Sequence, residues 1–358
     1  MTCRACGGTR LSLVFEMDPM PLAGAFAVTR AAALAAERYP LEWHRCRDCG
    51  LVNAFPSIPE RVIFADYSYR ASDVPALVRH HRDFAEWLAK RFPDTRRMLE
   101  VGGNDGVLLR QLPDRWERTN SDPSDVAADC GFPLLGAWTQ TLGRAHRAEY
   151  DLITSSNAFG HFDGIGDALL GVWWALRDGG HFVMEVHDLA ATITGGQWDT
   201  VYHEHRAEWS LPALSAAGAL AGLRLEAHER LPLHGGLIRA VFSKDSPRRV
   251  TPPPAPDFRP LVSRYRSRRP TGATAAYGAA ARATVYLNQV RESVDWIADG
   301  SPRRSGRWVP GVGIPIISPS EFDRMVRPRE RVLITAWTQA DDIKRQHPDM
   351  PGEWVTAW

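Results

Sequence analysis

Four of the five cysteines form two Cys-x-x-Cys pairs, Cys3/Cys6 and Cys46/Cys49, each followed directly by glycine and separated by 39 residues. Each tight turn aims two sulfurs at one point, so two such pairs close one tetrahedral set of four thiolates. That is the donor set of a structural zinc ion, because a catalytic zinc keeps a coordination position open; reduced thiols or a redox dithiol are the alternative. Otherwise the segment from Met1 to about Phe64 reads as short and irregular: a knuckle, a loop with Pro19, Pro21 and Gly24, an alanine-rich helix near Arg30 to Arg38, and the second knuckle. It buries too little apolar surface to stand alone, and a metal supplies what its core cannot. Five cysteines in so long a chain do not read as a disulfide framework. The first residues, Met1-Thr2-Cys3-Arg4-Ala5-Cys6, lack the apolar core of a secretory signal, so a reducing cytoplasm is the expected compartment.

A chain of 358 residues exceeds the usual size of a single core, so two or three domains are expected. With 43 basic and 42 acidic residues there is no net field to draw in a nucleic-acid backbone, and no apolar run is long enough to span a bilayer. Neither nucleic acid nor membrane is an expected partner. Lys90, Lys244 and Lys344 are the only lysines, a skew that base composition alone produces, so single arginines carry little weight as phosphate clamps.

From about Ala65 to Ser243 helix and strand patterns alternate. A helix over Pro75 to Arg91 leads into a strand over Arg97 to Val101. Further strands are read over Asp151 to Ser155 and His181 to Glu185, and a helix over Gly164 to Leu176 precedes the turn Arg177-Asp178-Gly179-Gly180. Such repeats imply a mostly parallel sheet covered on both faces. The proline- and arginine-rich stretch Ser246 to Pro270 reads as a linker with one helix, and Thr274 to Trp358 as a smaller α/β unit. The expected domains are therefore 1–64, 65–245 and 246–358.

In open parallel sheets a ligand sits at the carboxyl ends of the strands, where glycines let a backbone approach it. Glu100-Val101-Gly102-Gly103-Asn104-Asp105-Gly106 fits that place, and Asp122 stands about 20 positions on, where an acidic residue meets ribose hydroxyls. These features alone do not separate a dinucleotide site from one for S-adenosylmethionine. Glu100 and Asp105, however, stand where a pyrophosphate would bring negative charge, which favours a ligand carrying an ammonium and a sulfonium. Asp151 is read as pairing its strand rather than touching ligand.

Between Val186 and Leu211 the chain gathers His187, Tyr202, His203, Glu204, His205 and Trp209. An extended Tyr202-His203-Glu204-His205 would put Tyr202 and Glu204 on one side and the histidines on the other, whereas a tight turn would converge three of them. The spacing is not the i, i+4 pattern of a zinc helix, and no second cluster of ligands is evident in the sequence. Proton transfer needs only a histidine with a carboxylate or phenol beside it. Asn157 and His161 follow a strand's carboxyl end, a binding position, although a lone histidine there is more often a satisfied structural one, and His234-Gly235-Gly236 reads equally well as a tight turn between strands.

With these motifs in order, the chain resembles the sugar C-methyltransferases that act on nucleotide-activated ketosugars. The resemblance covers nearly the whole chain: both knuckles with Cys46-Arg47-Asp48-Cys49-Gly50-Leu51-Val52, Met20-Pro21-Leu22-Ala23, Asp66-Tyr67-Ser68-Tyr69, the glycine segment Leu99 to Leu109, Asn157 through His161, and Tyr202-His203-Glu204-His205. It continues through Tyr277-Gly278-Ala279, Tyr286-Leu287-Asn288, Pro310-Gly311, Ile314-Pro315-Ile316 and Ala336-Trp337. It implies an α/β protein with a small N-terminal zinc module, a central class I methyltransferase Rossmann-like sheet and a smaller C-terminal Rossmann-like domain. It further implies S-adenosylmethionine as methyl donor, held by Glu100, Gly102, Asn104, Asp105, Gly106, Asp122 and Asn157, and a structural zinc on Cys3, Cys6, Cys46 and Cys49.

For the chemistry it implies His205 as general base, with Tyr202 and Glu204 beside it and with Asn157 and His161 facing the sugar. The implied reaction is C-methylation beside the ketone of a nucleotide-linked 4-ketosugar, in the assembly of antibiotic or surface-glycan deoxysugars, by a monomer or weak homo-oligomer. Two features depart from the family pattern: Arg282 stands where a lysine usually follows the Tyr-Gly-Ala turn, and the span from Arg239 to Tyr277 is shorter by about a helix pair. They motivate the alternative of methylation at oxygen, nitrogen or carbon of another small molecule. A zinc-containing binding module without catalysis is a third reading, against which the Tyr202-to-His205 cluster stands.

Overall fold

The computed structural model describes residues 1–63 and 69–358, so the expected boundary at 64/65 and the motif residues Asp66, Tyr67 and Ser68 lie outside the described residues. Three sheets organise the described chain.

The N-terminal segment is more regular than its sequence implied. Leu11–Met20, Tyr39–Cys46 and Val52–Phe55 pair antiparallel, and the two-residue strand Ala207–Glu208, far away in sequence, closes the sheet on Val52 and Asn53. Phe15 and Met17 point inward while Glu16 and Asp18 point out, the period-2 alternation of a half-buried strand. The helix expected over Arg30 to Arg38 is only Arg30–Leu34, capped by Thr29. Its continuation is diverted because Arg38 donates to the Pro19 carbonyl and to Asn288 of the C-terminal sheet domain. Without a core of its own, this segment packs both ways: Cys3, Cys46 and Leu51 join the core beneath the central sheet, and Phe15, Met20 and Trp43 join Ala276, Tyr286 and Leu287.

The central sheet has seven strands in the order Leu223–Leu231, Leu237–Lys244, Leu176–His187, Tyr150–Ser156, Arg97–Val101, Glu117–Ser121, Leu134–Leu135. Five run parallel and the first two form an antiparallel hairpin on one edge. The helices expected over Pro75 to Arg91 and Gly164 to Leu176 appear as Pro75–Arg91 and Ile165–Ala175. The turn expected at Arg177 to Gly180 is instead the start of the strand Leu176–His187, with Gly179 at φ +77° marking the irregularity. Asp151 accepts from the backbone N–H groups of Arg96 and Arg97 at 2.6 and 2.9 Å, the pairing role its place predicts.

The linker carries one helix, Arg259–Arg266. The third sheet follows in the order Trp308–Val309, Ile314–Ile317, Trp296–Ala298, Ala275–Tyr277, Arg331–Ile334, Glu353–Thr356, parallel except for the first pair. No helix among the described residues is long and apolar enough to cross a membrane.

Candidate active site

The knuckles converge as their spacing predicts. All four thiol sulfurs lie within 4.8 Å of one another, with Cys3 and Cys49 at 3.5 Å and Cys6 and Cys46 at 3.6 Å. A tetrahedron of metal–sulfur bonds of about 2.3 Å has edges of about 3.8 Å, so the set fits a zinc ion. Gly7 and Gly50, at φ +71° and +82°, close the two turns, and the N–H groups of Gly8 and Asp48 point at the Cys6 and Cys46 sulfurs from 3.4 Å. Four protein ligands leave no open position for a substrate, so this is a structural site.

At the carboxyl edge of the central sheet the glycine turn is tightly specified. Gly102 has φ +77°, and a Cβ there would stand 2.2 Å from the Cβ of Ala158, so the turn lies directly on the loop after Tyr150–Ser156. Gly103 N–H donates to Asn120 Oδ1 at 3.1 Å, Asn104 N–H to Asp122 at 2.8 Å, and the Asn104 side chain bridges Ala71 and Tyr69. Several polar atoms here are buried with no protein partner: one oxygen each of Glu100 and Asp105, and Oδ1 of Asn157. Burial, then the neighbouring Asp122, Glu185 and Asp105, pushes Glu100 up to about 8. Arg110 stands 3.8 Å from Asp105, yet an oxygen of Glu100 stays buried without a hydrogen-bond partner among the described residues; an acid left so suits a cationic ligand, and the ammonium and sulfonium of S-adenosylmethionine match that need. The adjoining Glu185 is already satisfied: burial opposes its charge, but His80, Arg239 and Ser156 outweigh it and hold it at about 2.

Three segments meet at the Tyr202 to His205 motif. Arg206 C=O accepts from Ala54 of the N-terminal sheet, Ala207 N–H donates to Gly160, and Trp209 C=O accepts from Leu189. So anchored, the motif makes a tight turn in which His205 N–H donates to the Tyr202 carbonyl at 3.0 Å. The turn brings Tyr202 and His205 together, hydroxyl to Nε2 at 2.6 Å, with ring centroids 3.9 Å apart. It sends the other two residues toward the N-terminal segment: His203 Nε2 lies 3.1 Å from the Pro40 carbonyl, and Glu204 accepts from Gly24 N–H at 2.8 Å. His161 donates through Nδ1 to the Glu204 carbonyl at 2.6 Å, with its ring 5.3 Å from that of His205. Since Ala158 rests on Gly102 and His161 follows three residues later, the glycine turn and the imidazole cluster share one wall.

The tautomer of His205 follows from its partners. A carbonyl only accepts, so Nδ1, 3.0 Å from the Thr200 carbonyl, carries the hydrogen and Nε2 carries the lone pair, which receives the Tyr202 hydroxyl. Burial, with His187 and His161 adding to it, holds the His205 pKa well below the ordinary histidine range, and burial raises the Tyr202 phenol well above its own. At neutral pH the imidazole is therefore an unprotonated acceptor and the phenol an intact donor.

Folding also gathers what the sequence does not show. His187, His205 and Glu208 place ligand-type atoms within 4.8 Å of one another, the second cluster that was not evident from spacing. By distance alone it is dense enough for a cation. Nδ1 of His205, the nitrogen nearest Glu208, is committed to Thr200, however, and proton handling is the chemistry this arrangement supports. Arg282 is likewise not presented to solvent anions. It forms a two-pronged pair with the fully buried Asp199 at 2.7 and 2.8 Å, stacks on Trp337 at 4.6 Å, and Trp337 donates to the same carboxylate. Removing one partner of a buried pair costs about 3–5 kcal/mol. Arg282→Ala is thus expected to lower the urea midpoint strongly, and Arg282→Lys, which keeps the charge but not the fork, to recover only part of it.

A separate cavity of about 780 Å³ opens beside the knuckle, lined by Met1, Arg4, Asp163, Gly166 and Leu220 among others. It contains no imidazole, and Asp163 is engaged by Arg4 and Arg206. Size there is not matched by chemistry, and the His205 cluster remains the better candidate.

A mostly parallel sheet with an acidic glycine turn at its carboxyl edge defines a class I S-adenosylmethionine-dependent methyltransferase. Three family profiles match the chain in order: a zinc binding domain over residues 3–64, a methyltransferase domain over 71–228 and a C-methyltransferase C-terminal domain over 260–357. Together the three matches run in sequence order along most of the chain. It is similar to the C-methyltransferase NovU of Streptomyces niveus, at 27% identity over 95% of this chain and 90% of that protein. Among solved structures it is similar to the PH0226 protein of Pyrococcus horikoshii OT3, at 13% identity over 51% of this chain and 98% of that one, with a TM-score of 0.43. It is also similar to the 1,6-didemethyltoxoflavin-N1-methyltransferase of Burkholderia thailandensis, at 16% identity over 55% of this chain and 95% of that one, with a TM-score of 0.38.

Proposed function

We propose that the protein methylates the carbon beside the ketone of a nucleotide-linked 4-ketosugar, with His205 as general base. The observation that carries this reading is the Tyr202–His205 pair: a buried neutral imidazole with its lone pair on Nε2, and a phenol donor 2.6 Å away. A C–H next to a carbonyl is acidic only when a base takes the proton while a donor meets the developing enolate oxygen. Nε2 takes that proton as the C–H electron pair moves into the enolate, and the hydroxyl of Tyr202, released from Nε2, donates to the enolate oxygen. Bound S-adenosylmethionine supplies the electrophilic methyl group on its sulfonium. Holding the two reactants at contact is the larger part of the remaining work.

In this reading Glu100, Gly102, Asn104, Asp105, Gly106, Asp122 and Asn157 hold the donor. His161 and Asn157 face the acceptor, and Glu204, expected beside the base, instead steadies the turn from the N-terminal segment by accepting from Gly24. The division of labour is a zinc module at 1–64, a donor domain at 65–245 and an acceptor domain at 246–358. The protein works in the cytoplasm, as a monomer or weak homo-oligomer, in deoxysugar assembly. The name of the Streptomyces niveus relative supports carbon as the methylated atom.

One observation favours a second reading. Arg282, standing where the family has a lysine after the Tyr-Gly-Ala turn, is taken up by Asp199, so an acceptor without a diphosphate, methylated at oxygen, nitrogen or carbon, is the alternative. Incubation with S-adenosylmethionine and a panel of thymidine-diphosphate 4-ketosugars, followed by mass spectrometry and NMR of the product, separates the two. A gain of one methylene mass on carbon is expected. Methylation of a heteroatom, or turnover only of sugars lacking the nucleotide, would replace the first reading by the second.

A further inference from the structure

Glu208 carries a carboxyl group where the local pattern is apolar: it sits between Ala207 and Trp209, is 1% exposed, and neither carboxyl oxygen has a hydrogen-bond partner among the described residues. Stranding a carboxyl group in this way costs on the order of 1–3 kcal/mol or more, and folding stability gains nothing from it. Nδ1 of His205 lies 3.5 Å from Oε1. The other titratable and charged groups facing this pocket are His187, His161 and Tyr202 around His205, His234 beyond His187, and Arg282, whose charge is already met by Asp199.

We propose that Glu208 is a positioning residue for the base, its buried carboxyl group being the counter-ion that the His205 imidazolium meets when Nε2 accepts a proton. This rests on the reading of His205 as base and names how that base is made strong enough. Alone, an imidazole held well below its ordinary pKa by burial is a weak acceptor. Burial likewise pushes the Glu208 carboxyl up to about 8, so at neutral pH the pair carries one proton and no net charge. When Nε2 takes the proton from carbon, Glu208 releases its own to solvent, and the pair becomes imidazolium and carboxylate, again with no net charge. Two groups this close titrate as a pair, and the macroscopic steps belong to both.

The test uses the zinc-loaded full chain with 15N-labelled histidine, and needs no acceptor. In the wild type the His205 ring nitrogens are expected to shift in a step near pH 8. In Glu208→Gln that step is expected to vanish, the imidazole staying neutral down to well below pH 6.5, and in Glu208→Asp it is expected to persist. With an active acceptor, Glu208→Gln is expected to lower kcat by about ten- to a hundredfold with KM little changed and to lose the rising limb near pH 8. Superimposable titrations of wild type and Glu208→Gln would overturn the inference. Turnover retained by a His205→Ala variant would overturn the base reading instead, and the nitrogen titration separates the two failures.

Discussion

His205→Ala is expected to abolish methyl transfer while leaving binding of S-adenosylhomocysteine unchanged. General-base catalysis is worth about a hundred- to ten-thousandfold in rate, and here the loss sits near the upper end because, among the described residues, His205 Nε2 is the imidazole nitrogen paired with the Tyr202 hydroxyl. His187 has its ring 4.8 Å from that of His205, but the Tyr202 hydroxyl is paired with His205 Nε2; His161 is tied through Nδ1 to the Glu204 carbonyl, and His203 is turned toward Pro40. The donor site loses nothing, since Glu100, Asp105 and the Gly102 turn are held by the strands Arg97–Val101 and Glu117–Ser121 and not by the 202–209 segment. Calorimetric titration with S-adenosylhomocysteine beside a methyl-transfer assay checks both halves of the expectation. Loss of both together would mean that the variant had lost its fold.

Removing the zinc is expected to have the largest effect on stability and, at a distance, on activity. Binding of zinc by four thiolates contributes about 10–16 kcal/mol in small zinc modules, and the N-terminal sheet has little else of its own. The same sheet is closed by Ala207–Glu208, and Ala54 N–H holds the Arg206 carbonyl, so loosening it releases the turn that presents His205. Cys46→Ser, or a strong chelator on the wild type, is therefore expected to lower the melting temperature, raise amide exchange over 11–55 and 202–209, and remove activity. The Gly102 turn should stay protected. The readings are zinc content, thermal unfolding and hydrogen exchange. Full activity in a zinc-free protein would contradict the coupling.

How far the sequence foretold this depended on how local each feature was. The knuckle, the glycine turn with Asp122, and the helix Pro75–Arg91 are set by residues within a few positions of one another, and all were readable. The strand Leu11–Met20 carries its alternation in Phe15, Glu16, Met17 and Asp18, yet its partners are supplied by Tyr39–Cys46 and its inner face is covered by Tyr265 and Trp43. Without those partners the segment reads as loop. Glu208 escaped because a single charge between Ala207 and Trp209 looks like an exposed strand position. Only the fold shows that it is buried, paired across the sheet with Val52 and with the His205 ring beside its carboxyl group. Arg282 likewise needed Asp199, 83 residues away, to reveal its role.

The central claim is that His205 removes a proton from carbon beside a carbonyl, and it is tested most directly without methyl transfer. The protein is loaded with S-adenosylhomocysteine in deuterium oxide and given a thymidine-diphosphate 4-ketosugar that the wild type methylates, and the proton beside the ketone is followed by NMR. The wild type is predicted to wash that proton out and His205→Ala to leave it in place. Equal washout in the two proteins would contradict the account.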